Sequence, residues 1–280
     1  MSTHTGTVAL VGAGPGDPEL LTVKARNRLD DADVVLHDSL VGGDVVASLP
    51  ETATVVDVGK RANGKRTSQE EINHLMVREA HAGNDVVRLK GGDPHVFGRG
   101  GEEAEFLARH DVPFEVVPGV TSAIGGPGVA GIPVTHREHA SSLTVVTGHE
   151  DPTKDDSALD WPSLAGNVTA GGTLVILMGV GRLPDNVTAL RSHGVAPETP
   201  VALVEKATLA DESTVTGTLD TIVDRVDEAG VEPPAVTVVG DVVSVRESVK
   251  SCLGGEGAAG ADVVSWRTAF RAAESEAEVN

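Results

Sequence analysis

The run Val86-Val87-Arg88-Leu89-Lys90-Gly91-Gly92-Asp93-Pro94-His95-Val96-Phe97-Gly98-Arg99-Gly100 constrains the fold more than any other stretch. A β-type run ends there in a glycine pair, an Asp-Pro turn and further glycines. Paired glycines remove two Cβ atoms and open unusual φ values, so backbone N–H and C=O groups can approach a ligand closely. Asp93 adds an acceptor and Pro94 fixes the exit of the chain. Ligands of α/β proteins commonly lie beyond such carboxyl strand ends. Taken alone, the glycine pair fits an ordinary tight βα turn better than a ligand loop.

The rest of the chain repeats this pattern. Val8 to Asp17 reads VALVGAGPGD, an apolar run entering a glycine-proline loop, with a helix-like stretch from Glu19 to Leu29 behind it. Apolar runs at Val8–Val11, Val34–Leu36, Thr54–Val58, Val86–Leu89 and Phe114–Val117 alternate with polar, helix-length segments. Buried strands that read as nearly continuous Val, Ile and Leu predict a parallel sheet. A second series at Leu143–Thr147, Leu174–Leu177, Val201–Val204 and Ala235–Val239 repeats the rhythm, with helices expected at Leu183–His193 and Leu219–Ala229. The expected organisation is α/β, with one domain over residues 1–138, a second over 139–254 and an acidic tail over 255–280. Pro118 to Pro133 is dense in glycine and proline, with room for an inserted helix around Ser122 to Val129. In the tail, Val263, Trp266 and Phe270 fit either one short apolar helix face or a loosely ordered segment.

Charge narrows the classes of partner. The 280 residues carry 42 Asp and Glu against 22 Lys and Arg, a formal net charge of −20. A general nucleic-acid binder wants a basic face, so nucleic acid is not an expected partner. Acidic stretches such as Asp30-Asp31-Ala32-Asp33 and Glu102-Glu103-Ala104-Glu105 sit beside core-like runs rich in Val, Ala and Leu. This is the pattern of adaptation to a salt-rich cytoplasm, where the Debye length falls to about 3 Å at 1 M; a soluble acidic surface in ordinary salt is the alternative. With no apolar run near the roughly 20 residues needed to span a bilayer and no basic-apolar leader, a cytoplasmic protein without a membrane partner is expected. Cys252 reads as an inert thiol, and His136 and His149 lack neighbours for a metal site, so no metal is expected.

The first glycine loop invites a dinucleotide-binding reading, but Pro15 removes an N–H and Leu20 and Leu21 stand where further glycines would help a helix approach. The segments instead resemble another family when taken in order. VALVGAGPGD at Val8, DSLV at Asp38, GKR at Gly59, GGDPHVFGRG at Gly91, VVPGVTS at Val116, GIPVTHR at Gly131, TGH at Thr147 and LVILMG at Leu174 resemble the uroporphyrinogen-III C-methyltransferases. The likeness runs from about Val8 to about Val245.

The resemblance implies two α/β domains of the tetrapyrrole methylase fold holding S-adenosylmethionine in the cleft between them, and a homodimer. It implies successive methylation of uroporphyrinogen III at C2 and C7 to precorrin-2, feeding sirohaem, cobalamin or both. It assigns cofactor contact to Pro15, Gly91, Gly92, Asp93, Val96, Thr121, Ser122, Met178 and Ala207. Asp38 matches the family's proton acceptor and Lys60 its proton donor. Because the substrate is an octacarboxylate, Arg61, Lys65, Arg99 and Arg137 are expected to bind it, with Arg66 completing the cluster after Gly59. His37, Lys65, Leu177 and Glu212 depart from the residues usual in the family. The alternatives are a later corrin methyltransferase, a methyltransferase acting on protein or RNA, and a non-catalytic nucleotide-binding regulator.

Overall fold

The computed structural model describes residues 5–59, 67–152 and 157–252. Lys60, Arg61, Lys65, Arg66 and the tail lie outside the described residues. The chain divides into two compact units that meet at Ser122 and Ala123.

The first unit contains β1 (Val8–Gly12), β2 (Val34–His37), β3 (Thr54–Asp57), β4 (Val86–Lys90) and β5 (Phe114–Val117). All pair in parallel, in the order β3-β2-β4-β1-β5. Around them run α1 (Val23–Asp30), α2 (Gly43–Ala47), α3 (Gln69–His81) and α4 (Gly100–Arg109). Every residue of β1 is buried because its alternate side chains serve two cores. Val8 and Leu10 pack with Ile72, Met76 and Leu107 of α3 and α4, whereas Ala9 and Val11 pack with Ala25 and Leu29 of α1 and Val45 of α2. Each buried Leu or Val contributes roughly 1.5–3 kcal/mol through removal from water. Helix α1 starts later than the expected Glu19, because Asp17 accepts the amide of Glu19 to form a single 3-10 turn and Thr22 then caps the true helix. Helix α3 begins with reciprocal capping by Ser68 and Glu71.

The second unit contains α5 (Ser122–Val129), whose first residue closes the first unit, then β6 (Leu143–Thr147), α6 (Trp161–Thr169), β7 (Thr173–Leu177), α7 (Leu183–Ser192), β8 (Pro200–Glu205), β9 (Ser213–Thr218), α8 (Ile222–Ala229), β10 (Ala235–Val239) and α9 (Val243–Cys252). The strand order is β6-β7-β10-β8-β9. Only β6 and β7 are parallel; β10 runs antiparallel to both neighbours, and β8 and β9 form a hairpin. Sequence analysis expected the parallel rhythm to continue and did not anticipate β9. Residues 206–212 are too short a link for a parallel crossover, so β9 must turn back on β8. A buried strand rich in valine reads the same in either direction.

The unit boundary lies nearer Ala123 than the expected residue 138. Ala123, Ala130, Ile132 and Ala140 share one apolar cluster with Val175, Val204 and Val236, so this segment belongs to the second core. The buried Arg246 donates to the Ala130 carbonyl and ties α9 to the same segment. On the opposite sheet face, Leu174, Ile176 and Leu203 pack with Trp161, Leu190 and Ile222.

Candidate active site

In the first unit, β1 stands between β4 and β5 and runs parallel to both, so the loops leaving these three strands gather at the carboxyl end of the sheet. The Gly14 amide donates to the Gly92 carbonyl at 3.1 Å and the Gly92 amide donates back to Gly14 at 2.8 Å. Asp93 completes the knot: one carboxylate oxygen accepts His95 N at 2.8 Å and the other accepts Gly119 N at 3.1 Å. A Cβ on Gly12 would stand 2.5 Å from Gly119 N and 2.6 Å from Gly92 O, so only glycine permits this approach. Gly92 adopts φ +68, which is the conformational reason for glycine there.

The expected cofactor residues of this unit, Pro15, Gly91, Gly92, Asp93, Val96, Thr121 and Ser122, lie on these three loops. Asp93 is committed to backbone amides, so its part is to hold the loops together. The loops offer peptide groups, the hydroxyls of Thr121 and Ser122 and the apolar Pro15 and Val96, with no cluster of cations among the described residues. That composition fits a nucleoside with an amino-acid tail and does not fit a polyphosphate.

Asp38 follows β2 and is half-buried. Leu40 N donates to its Oδ1 at 3.1 Å, and Arg88 Nη2 lies 3.6 Å from its Oδ2. Arg99 opens α4 in a left-handed conformation, φ +60, and grips Glu102 at both ends, Nε to Oε1 at 3.0 Å and Nη2 to Oε2 at 2.6 Å. That bond holds the Glu102 carboxyl below and the Arg99 guanidinium above their ordinary values. A substrate carboxylate arriving at Arg99 would compete with Glu102.

The second unit handles its loops differently. Met178, after β7, adopts φ +57 and is exposed. Behind it Gly179 and Gly148 are in contact, because a Cβ on Gly148 would meet Gly179 Cα at 2.6 Å. Ala207 is buried between Lys206 and Thr208, which both adopt positive φ, and Glu212 closes this loop by accepting the Thr208 amide at 2.7 Å. Arg137 is exposed in a turn pinned by the His136 amide bonding to Ala140 O at 3.0 Å.

Sequence analysis missed two features. Arg88 and Lys90 alternate along β4 as the polar face of a half-exposed strand would, yet both are buried against Glu103. Asn186 on α7 is buried beside Gly148 and Gly179, and its side-chain amide makes no hydrogen bond.

A family model described as Tetrapyrrole (Corrin/Porphyrin) Methylases matches residues 7–223. The chain belongs to the tetrapyrrole methylase family. An S-adenosyl-L-methionine-dependent uroporphyrinogen III methyltransferase of Methanosarcina barkeri is 54% identical over 247 residues, 88% of this chain and 96% of that protein. A sirohaem synthase of Neisseria meningitidis is 48% identical over 244 residues, which is 87% of this chain but 49% of that protein. This tetrapyrrole methylase thus spans about half the length of that relative. Among solved structures, a uroporphyrin-III C-methyl transferase from Thermus thermophilus complexed with S-adenyl homocysteine is 45% identical, covers 86% of this chain and 100% of that one, and superposes with a TM-score of 0.71.

Proposed function

We propose that this tetrapyrrole methylase transfers methyl groups from S-adenosylmethionine to C2 and C7 of uroporphyrinogen III, yielding precorrin-2 for sirohaem or cobalamin synthesis. One observation carries the reading: the zipped glycine loops and Asp38 belong to a chain that is 54% identical to a uroporphyrinogen III methyltransferase over 96% of that protein. The proposed cofactor set is Pro15, Gly91, Gly92, Val96, Thr121 and Ser122, held by Asp93, together with Met178 and Ala207. When bound, S-adenosylmethionine supplies an electrophilic methyl group on a sulfonium. The protein's task is then alignment and proton handling. The electron-rich pyrrole carbon forms the new C–C bond as the C–S bond breaks, and the proton later lost from the macrocycle passes to the Asp38 carboxylate. Leu40 N holds one Asp38 oxygen, which fixes the direction of the other. Lys60 is the proposed donor, and Arg61, Lys65, Arg99 and Arg137 the proposed partners of the substrate carboxylates.

We also assign the enzyme to a salt-rich cytoplasm as a homodimer. Its net charge of −20 and an octa-anionic substrate are compatible where salt screens long-range repulsion and leaves short paired contacts in force. No helix among the described residues is long and apolar enough to cross a membrane. A melting temperature that fails to rise between dilute and molar KCl would remove the salt assignment.

The deciding experiment is anaerobic turnover of uroporphyrinogen III with methyl-labelled S-adenosylmethionine in molar KCl, with methyl groups counted by mass. Two methyl groups on the product are expected. Cofactor binding without transfer to this substrate would overturn the reading.

A further inference from the structure

The first unit buries a set of charges that neither its core nor the proposed methyl transfer requires as described so far. Arg88 and Lys90 are each 3% exposed and Glu103 is fully buried. Glu103 Oε1 accepts Arg88 Nε at 3.1 Å, Lys90 Nζ at 3.1 Å and Gln69 Nε2 at 3.0 Å. From there the Arg88 guanidinium crosses the strand ends. Its Nη1 donates to the carbonyls of Leu36 on β2 and Leu89 on β4, at 3.3 and 3.1 Å, and its Nη2 reaches to 3.6 Å from Asp38 Oδ2.

Stability alone does not account for this. A buried ion triad is commonly no more stable than apolar residues of the same volume, because two or more charges must be stripped of water. Here two cations share one buried carboxylate, which leaves one positive charge to be balanced, and Asp38 faces it. The strain falls visibly on Lys90, whose ammonium is pushed below its ordinary value chiefly by burial and next by Arg88.

We infer that Glu103 and Arg88 are positioning residues for Asp38: Glu103 anchors the guanidinium, and Arg88 Nη2 orients the Asp38 carboxylate toward the substrate. The inference rests on the proton-acceptor reading of Asp38. The other groups near that carboxylate are accounted for. His37 Nδ1 lies 3.1 Å from the Asp38 main-chain carbonyl, Asp57, paired in register with His37, accepts the Gly59 amide at 2.8 Å, and Lys90 is held by Glu103. Arg88 is therefore the charged side chain among the described residues that meets the carboxylate directly.

The test is a double-variant cycle on the full-length enzyme, reading kcat and the KM for uroporphyrinogen III separately, together with the Kd of S-adenosylhomocysteine. Asp38→Asn is expected to slow methyl transfer roughly 100-fold. Arg88→Met is expected to slow it about tenfold while leaving the KM for uroporphyrinogen III and the Kd of S-adenosylhomocysteine within about twofold, since only the aim of the carboxylate is lost. Glu103→Gln is expected to lower kcat less, with cofactor affinity retained. In the Asp38→Asn background neither change should cost anything further. Should Arg88→Met fail to bind S-adenosylhomocysteine, Arg88→Lys, which keeps the charge but is too short to span Glu103 and Asp38, is read in the same way. Additive losses in the double variants, or a loss that falls on KM and leaves kcat in place, would overturn the inference alone. Full turnover by Asp38→Asn would overturn the reading of Asp38 and the inference with it.

Discussion

The two units build their strand-end loops from different materials. In the first, three loops are pressed together through glycines, and the charge beside them is buried and wired through Glu103, Arg88 and Asp38. In the second, a glycine pair is backed by the neutral Asn186, and Met178, Lys206 and Thr208 adopt positive φ close to the strand ends. A glycine in a left-handed conformation costs little, whereas a side chain there is strained by roughly 1–2 kcal/mol. The first unit thus rests its close backbone approach on glycine, with strained side chains set apart at Phe97 and Arg99, farther along the loop after β4. In the second unit the strained side chains stand at the strand ends themselves, Met178 directly after β7 and Lys206 directly after β8.

Gly12→Ala should have the largest effect among tests of this contrast. Its Cβ meets only backbone, so the loops must part, and a loss of about 3 kcal/mol in denaturant unfolding is expected together with loss of S-adenosylhomocysteine binding. Gly148→Ala should cost less, about 1–2 kcal/mol, because two of its three nearest obstacles, Ile176 Cγ2 at 2.6 Å and Asn186 Nδ2 at 3.0 Å, are side-chain atoms and one is backbone. Equal losses in the two variants would erase the distinction between the glycine knots. Met178→Gly should reverse the sign: relief of φ strain outweighs the added chain entropy, giving a gain of about 0.5–1 kcal/mol while cofactor affinity falls severalfold. A stabilised variant with unchanged affinity would show that the strain serves no ligand.

The smallest effect concerns surface charge. Glu115 is held below its ordinary value by hydrogen bonds to Lys24 and Arg28. Its folded form therefore keeps the carboxylate to lower pH than the unfolded chain does. The resulting stability is fully present above the usual carboxylate value of about 4.3 and fades as pH falls through the lower folded value. Glu115→Gln should flatten the acid limb of the stability curve by under about 1 kcal/mol, and molar KCl should shrink the difference further. A large, salt-resistant loss would mean that this exposed cluster behaves like the buried one around Glu103.

Much of this contrast was legible in the residues. The five strands of the first unit and the helix that starts at Ser122 follow from apolar run length and turn chemistry, whereas Asp38 is singled out only by the resemblance, since an Asp after a strand otherwise reads as a helix cap. The alternation of Arg88 with Lys90 was legible too, but it points the wrong way. Period-two polarity signals a solvent-facing strand until Glu103, more than ten residues later, is known to lie against it. The strain at Met178 has no local sign, since a strand followed by Met-Gly reads as ordinary core.

The sequence by itself determined that this chain is α/β, roughly where its strands lie apart from β9, and which loops are glycine-rich, because these depend on propensities and periodicities acting over a few residues. Tertiary structure decided the antiparallel course of β10, the membership of residues 123–140 in the second core, and the burial of Arg88, Lys90 and Glu103 as one set. Strand direction and the fate of a buried charge depend on what packs against them from distant parts of the chain, and a local pattern carries no record of that partner.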